Sequence, residues 1–276
     1  MEDDSTKSFS ATRGSGSLTM ARLPISGLQV ELRSPTGAED LLLAEATDLG
    51  VPLALTLAAR LARGPAGEEI DWERLPVPDL DAFFLMLRER QLGDRVRAEA
   101  VCPAEGCGER IDIAFRVVDY LDHSRPVRPR NVQQAGETGW YRIAGAGVEF
   151  RLPEPADLLA MRGEAGASVQ LEERCLRPAN ADRRARRRAL LAMAAMAPDL
   201  CQDLEAVCPE CQASITVRFD PQLYVLRELQ GEALRIHEQI HSLALAYHWS
   251  EAAILALPRG RRERYVEMAR EDLKWA

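Results

Sequence analysis

Two stretches of the chain alternate polar and apolar residues around a short turn, at about 95–118 and 203–219. In both, the five residues Glu-Ala-Val-Cys-Pro lead into the turn, and a second cysteine follows within five positions. Apolar residues then stand four, six and eight positions after that second cysteine in both stretches. Alternation of this kind is typical of a strand that buries one face. The pattern therefore predicts two β-hairpins, each with a pair of cysteines at its turn.

The elements that precede the two hairpins follow the same order along the chain. A strand-like alternation at 28–32 is broken by a proline and followed by leucine-rich helical sequence, and the same order recurs from 148–152. Asp40 and Asp157 each precede paired leucines in that helical sequence. We therefore expect an α+β fold made of two duplicated strand–helices–hairpin units related by a pseudo-twofold axis, plus a C-terminal helical segment.

The predicted organisation has five parts. Polar, small and acidic residues dominate the first part, which is typical of disorder, and proline, arginine and glutamine mark the third as a connector. In the last part we expect a long helix from Pro221 to His248, a short helix capped by Ser250, and a final helix from Arg261. The five parts are a disordered N-terminus at 1–20, a first unit at 21–121, a connector at 122–138, a second unit at 139–220, and C-terminal helices at 221–276.

The cysteine pairs are candidate metal ligands. Two thiolates at a turn supply half of a tetrahedral zinc shell, and structural zinc sites are closed by four ligands. We therefore expect the hairpins to be zinc knuckles that meet in space and share one structural zinc. Its ligands would be Cys102, Cys107, Cys208 and Cys211.

Two alternatives remain for these cysteines. The pairs can be empty and pack as small apolar residues, or Cys208 and Cys211 can form a redox pair. The redox interpretation is weaker, because thioredoxin-like pairs open a helix and here a strand follows. Cys175 and Cys201 have no partner at ligand spacing, so we expect them to be buried free thiols.

Composition narrows the function classes. The net charge of -8 disfavours a general binder of the nucleic-acid phosphate backbone, and no apolar run approaches the roughly 20 residues that span a bilayer. The N-terminus lacks a signal-peptide pattern. Six cysteines in 276 residues do not form a secreted disulfide framework, so the cytoplasm is the expected compartment.

One motif suggests an enzyme. His237-Glu238-Gln-Ile-His241 matches the H-E-x-x-H helix of zinc proteases, in which the glutamate acts as general base. A third ligand is required, but the nearest candidate, His248, lies about 16 Å from His237 along a helix axis. A metalloprotease is therefore an alternative, and the favoured interpretation is that these histidines line a packed or partner-facing stripe.

Five arginines lie within the six residues 183–188. On a helix, such a run is most often a solvated face paired with carboxylates, and that is the expectation here. A docking surface for an acidic partner is the less favoured interpretation.

The C-terminal sequence resembles that of a known family. The stretch 235–265, with Trp249-Ser-Glu251 and Leu257-Pro-Arg259 as its more specific pieces, resembles the C-terminal signature of the T4-type phage baseplate-hub assembly chaperone family. Glu149-Phe-Arg-Leu-Pro153 and a Cys-Pro-x-Cys ahead of the last helices are also similar, so the resemblance covers most of 28–270.

This resemblance implies a non-enzymatic protein, without catalytic residues, that helps to assemble the baseplate of a contractile phage tail or contractile injection system, or forms part of it. The implied partners are other baseplate or hub proteins, with no nucleic acid, membrane or small-molecule substrate. The implied location is the bacterial cytoplasm or the assembled particle. Aromatic residues and arginine dominate interface hot spots, so the candidate partner contacts are Tyr247, Trp249, Arg259 and Tyr265. A zinc-ribbon adaptor for nucleic acid is the remaining alternative.

Overall fold

The computed structural model describes residues 19–163, 166–178 and 180–275. Its strands are β1 (Thr19–Arg22), β2 (Gln29–Leu32), β3 (Ala62–Arg63), β4 (Arg95–Val101), β5 (Arg110–Arg116), β6 (Val132–Gln134), β7 (Trp140–Ile143), β8 (Glu149–Arg151), β9 (Leu176–Arg177), β10 (Gln202–Val207) and β11 (Ser214–Phe219). Its helices are α1 (Gly37–Glu45), α2 (Val51–Leu61), α3 (Val77–Leu92), α4 (Val117–His123), α5 (Pro155–Ala160), α6 (Ala167–Cys175), α7 (Arg183–Met196), α8 (Pro221–Ala233), α9 (Ile236–Tyr247), α10 (Glu251–Leu255) and α11 (Arg259–Trp275).

The strands form small antiparallel sheets between the helices. In the described ranges these are β1-β2-β3, β6-β7-β8-β9, and the two hairpins β4-β5 and β10-β11. The mixture of helices and small antiparallel sheets that the sequence predicts is therefore confirmed. The first hairpin lies between helices α3 and α4, and the second lies between helices α7 and α8.

The two hairpins have equivalent registers. Ala100 is paired with Ile111 in the first hairpin, and Ala206 is paired with Ile215 in the second. These residues hold the same positions relative to the cysteines, so the repeated sequence forms repeated pairing. The two turns are consequently at the same end of their hairpins, directly after Val101 and Val207.

A bidentate ion pair marks the start of the helical part of each half. Arg33 donates to both carboxylate oxygens of Glu39 at 3.1 and 2.7 Å, and Arg151 donates to both oxygens of Asp157 at 2.6 Å. Each acid also accepts the backbone N–H three residues before it. The residue whose contacts match those of Asp157 is therefore Glu39, whereas Asp40, which the leucine pattern indicates, pairs with Arg259.

Most of the core is divided between the two halves. The first cluster contains the apolar residues of β2, α2 and α3, and the second contains those of β8 and α7. Helix α8 joins the first cluster through Val225, Leu226 and Leu229. The sequence predicts one helix from Pro221 to His248, but the structure divides it into α8, which packs on α1 and α3, and α9, which packs on α1, α10 and α11.

Three other sequence predictions differ from the structure. Predicted disorder over 1–20 includes Thr19, which is paired with Leu32 in β1; residues 1–18 lie outside the described ranges. The predicted connector contains β6, which pairs with β7. The sequence also predicts a helix at about 78–92 with Asp79 or Asp81 as its N-cap, but in the structure both residues are buried within α3.

The described helices include none that combines the length and the apolar character needed to cross a membrane.

Candidate metal centre

Tight turns present the cysteines at the ends of the two hairpins. The backbone N–H of Cys102 donates to the carbonyl of Glu109 at 2.8 Å, and that of Cys208 donates to Ala213 at 2.9 Å. Both turns then use a left-handed residue just after the second cysteine, Gly108 with φ 62° and Gln212 with φ 61°. A glutamine at positive φ is uncommon, so the residue after the second cysteine has the same conformation in both turns although the first turn is two residues longer.

The two turns face each other and bring four sulfur atoms together. Cys102 Sγ lies 3.5 Å from Cys211 Sγ, and Cys107 Sγ lies 3.8 Å from Cys208 Sγ. All four sulfur atoms are within 4.8 Å of one another. The first cysteine of each hairpin thus contacts the second cysteine of the other, which is the reciprocal pattern of a twofold axis.

These distances fit metal coordination and not disulfide bonding. A disulfide requires about 2 Å between sulfurs, and the four residues are free thiols. Four sulfurs at 2.3 Å from a tetrahedrally coordinated zinc would be about 3.8 Å apart. The observed separations bracket that value, so the cluster is a possible metal site. Tetrahedral sulfur sets of this kind hold zinc or iron.

Backbone donors and burial shape the chemistry of the thiols. The N–H groups of Cys211 and Glu210 bond to the sulfur of Cys208 and lower its pKa to about 7. For Cys107 the N–H of Glu109 acts in the same direction, but the Cys211 sulfur and burial outweigh it and raise the pKa of Cys107 to about 12. The thiolate of Cys208 therefore forms readily, whereas ionisation of Cys107 is opposed. A bound cation would remove this conflict, because its positive charge stabilises both thiolates.

Apolar residues cover one side of the four sulfur atoms. Cys102 and Cys208 are buried, and they pack with Ile111 and Ile215 in a separate small cluster between the hairpins. Cys107 is partly exposed and Cys211 is exposed. One side of the cluster is therefore sealed, and the other is open to solvent.

Two tyrosines at the bases of the hairpins make hydrogen bonds from one half of the chain to the other. Tyr120 follows the first hairpin and donates its hydroxyl to the carbonyl of Leu200 at 2.6 Å. Tyr224 stands at the equivalent place after the second hairpin and donates to the carbonyl of Arg97 at 2.6 Å. The hairpins are thus held against each other at their bases as well as at their tips.

Comparisons with protein-family models, curated proteins and solved structures find no match to this chain.

The histidines of the H-E-x-x-H motif lie away from the cysteine cluster. His237 and His241 are exposed on α9, and His237 Nε2 is 3.8 Å from a carboxylate oxygen of Glu45. Within the described ranges, the cysteine cluster is the only group of three or more potential metal ligands. His237 and His241 therefore do not line a packed stripe, and a partner-facing stripe stays a prediction.

Three of the four predicted partner contacts lie together. Tyr247 stacks on Trp249 with ring centroids 5.0 Å apart, and Tyr265 meets Trp249 edge-on at 5.1 Å. Arg259 is different, since its guanidinium pairs with Asp40 and its side chain is only 16% exposed. The charge of Arg259 is thus already balanced inside the protein, and its contact with a partner stays a prediction.

The sequence analysis did not predict the group around Asp40. Arg262, only 1% exposed, also pairs with Asp40, and its Nε donates to Gln239 at 2.6 Å. Asp40 precedes its partners by more than 200 residues, so no local spacing links them. The only signal was the leucine–proline–arginine piece of the C-terminal signature, at 257–259.

The two remaining cysteines lie outside the cluster. Cys175 is buried, as predicted, and burial raises the pKa of its thiol to about 11. Cys201 is partly exposed, so the prediction of a buried thiol is correct for Cys175 alone.

Proposed function

We propose that this chain is a non-enzymatic binding protein held together by one structural zinc. In this proposal the zinc joins two duplicated strand–helices–knuckle units through Cys102, Cys107, Cys208 and Cys211. The protein acts as an assembly factor or structural component of the baseplate of a contractile phage tail or contractile injection system. It works in the bacterial cytoplasm or within the particle, through other baseplate or hub proteins.

The reciprocal arrangement of the four sulfurs carries this proposal. Each hairpin supplies two ligands, and neither could close a tetrahedral shell alone. Duplication is supported by the equal hairpin registers, by the matched left-handed residues Gly108 and Gln212, and by the paired motifs Arg33–Glu39 and Arg151–Asp157.

Metal analysis of the purified protein tests the zinc. We expect one zinc per chain, lost in Cys208→Ser and retained in Cys175→Ser, because Cys175 lies outside the cluster. His237→Ala should also keep the zinc. Iron in place of zinc, no metal at all, or loss of the metal with His237 would overturn this part of the proposal.

The C-terminal segment supplies the proposed partner surface. Tyr247, Trp249 and Tyr265 are partly exposed. Leu245, on the same helix as Tyr247, is 65% exposed, and Met268, on the same helix as Tyr265, is 42% exposed. Rigid aromatic side chains beside exposed apolar residues are the usual composition of a protein-binding surface. The resemblance of this segment to the baseplate chaperone signature supplies the class of partner.

Co-expression with the hub, tube and spike proteins of a contractile tail tests the partner class. We expect a complex with one of these proteins that weakens at least about tenfold in Trp249→Ala. Trp140→Ala, in the second sheet, is the matched control and should leave the complex intact. Absence of a complex with every tail component, or hydrolysis of a peptide by the purified chain, would reject the proposal.

A further inference from the structure

Helices α3 and α7 occupy corresponding places in the two halves. Cys102 and Cys208 are 106 residues apart, and the same shift relates the helices that precede them. Under this shift Phe83 corresponds to Ala189 and Leu87 to Met193, and these residues are buried in both helices. The two helices therefore bury the same face against their own halves.

The second face of α3 is covered by α8. Gln222 of α8 donates to Asp81 at 2.6 Å, and Arg88 pairs with Glu228 of α8 at 2.9 Å. Leu85 lies on the same stripe, between Asp81 and Arg88, and is fully buried. This stripe is therefore a helix-binding face with polar contacts at both ends.

The corresponding face of α7 lacks such a covering helix in the described residues. The counterparts of Asp81, Leu85 and Arg88 are Arg187, Leu191 and Ala194, all exposed, and Leu191 is 62% exposed. Leu191 is thus exposed at the position where the corresponding Leu85 is buried under α8. This difference indicates a contact surface on α7 that no described helix covers.

The lack of a described helix over this face of α7 has a structural reason. The counterpart of α8, by its position after the hairpin, is α4, which has 7 residues where α8 has 13. The segment directly after α4 contacts the C-terminal end of α7, where the Val127 N–H donates to the Ala195 carbonyl at 2.7 Å. The face of α7 at Arg183, Arg187 and Leu191 stays exposed.

The charge of the open face specifies what it can accept. Arg183, Arg184 and Arg187 are exposed, and within the described ranges no carboxylate pairs with them. Arg183 and Arg184 also stand in the first turn of α7, where the helix dipole disfavours positive charge. A locally unfavourable placement of this kind is expected at functional positions.

We infer that the α7 face formed by Arg183, Arg184, Arg187 and Leu191 docks an acidic amphipathic helix of a partner protein, in the place that α8 takes on α3. Apolar residues of that helix would cover Leu191, and its carboxylates would pair with the arginines. A symmetric contact with a second copy would set arginine against arginine. Nucleic acid is disfavoured by the exposed leucine and by the chain's net charge of -8.

This inference rests on the proposed correspondence of the two halves, and it is tested on the full-length, metal-loaded protein. The probe is a fluorescein-labelled synthetic helix of about 18 residues with one leucine stripe flanked by glutamates. Its binding is followed by fluorescence anisotropy at low salt. We expect saturable binding that falls at least about tenfold in Arg183→Glu/Arg184→Glu/Arg187→Glu and in Leu191→Asp, and that weakens as salt is raised.

Arg264→Glu is the matched control, because that arginine is exposed on α11, and it should leave the affinity within about twofold. Equal binding by the triple variant, or no binding by the unmodified chain, would overturn the inference. Tighter binding of a duplex DNA at the same arginines would reassign the face to nucleic acid, and a dimer that Leu191→Asp dissociates would reassign it to a second copy. Zinc content is measured on every variant, so that a failure of this face is separated from a failure of the metal centre.

Discussion

Asp40 is a buried carboxylate whose charge is balanced from the far end of the chain. It is fully buried and pairs with Arg259 and Arg262, which begin the last helix. Arg262 is 1% exposed and also donates to the carbonyl of Leu257 at 3.1 Å. These contacts attach α11 to α1.

Neutralising this carboxylate should destabilise the protein strongly. Asp40→Asn would leave the buried Arg262 without its counter-ion, and breaking a buried pair in this way costs about 3–5 kcal/mol. Urea unfolding measures the change. Asp122→Asn, whose partner Arg125 is exposed on the surface, is the control and should change the free energy of unfolding by less than about 1 kcal/mol. Similar values for the two variants would show that the Asp40 pairs contribute little.

Asp81 makes the stability depend on pH. Burial raises its pKa to about 7, and the bond from Gln222 offsets this only in part. Because the usual value is about 3.9, between about pH 4 and pH 7 the folded carboxyl holds a proton that the unfolded chain has lost. Raising the pH through this window therefore favours unfolding.

Replacing Asp81 with asparagine should remove this dependence. We expect Asp81→Asn to be more stable than the unmodified chain at pH 8, by as much as about 4 kcal/mol, and to match it near pH 4. Unfolding curves at several pH values give the comparison, with the exposed Asp112→Asn as control. A gain that is the same at every pH would contradict the assignment.

At the scale of elements, α7 combines a well-packed face with an unfavourable N-terminus. Ala185, Ala189 and Met193 are buried in the second core, while Arg183 and Arg184 begin the helix next to its cap, Asp182. The cap satisfies two backbone N–H groups at 2.8 and 3.0 Å. Only the charges conflict with the helix dipole.

Reversing those charges should stabilise the fold. Arg183→Glu/Arg184→Glu places anions at the positive end of the helix, which is worth about 0.3–1 kcal/mol per residue. Thermal unfolding at low salt reports the effect, and it should shrink in high salt. Arg264→Glu should change the stability by no more than about 0.5 kcal/mol. A loss of stability in the double variant would show that the arginines support the folded chain.

At the scale of the whole molecule, the two halves meet at the hairpins through three sets of contacts besides the hydrogen bonds of Tyr120 and Tyr224. These are the sulfur cluster, the small apolar cluster around it, and the aromatic contact of Phe115 with Phe219, whose ring centroids are 5.1 Å apart. The main cores of the halves are separate clusters. A metal at the hairpin tips would therefore hold the two hairpins together and would stabilise either core much less.

Removing the metal should loosen both hairpins together. With a chelator, we expect faster amide hydrogen exchange in β4-β5 and in β10-β11, while α2 and α3 keep their protection because their contacts do not involve the cysteines. Mass spectrometry of exchanged fragments gives the measurement, and restoring zinc should reverse the change. Faster exchange in one hairpin alone would contradict a shared ion.

The sequence by itself determined the local elements. Alternation predicted both hairpins, leucine-rich sequence after the 28–32 strand predicted α1, and Ser250 was correctly predicted to cap α10, where its hydroxyl accepts from Ala253 at 3.3 Å. Short strands such as β3 and β9, with two residues each, were missed because two residues carry no period. Periodicity and capping depend on neighbours along the chain, which is why they can be read without a structure.

Only the tertiary structure decided which distant residues meet. The spacing of the cysteines allowed a shared ion, but the facing of Cys102 and Cys211 depends on how whole hairpins are oriented. The pairing of Asp40 with Arg262, and the break between α8 and α9, depend in the same way on which helices pack together. Contacts of this kind are set by the simultaneous burial of several apolar faces, and no short stretch of sequence contains that information.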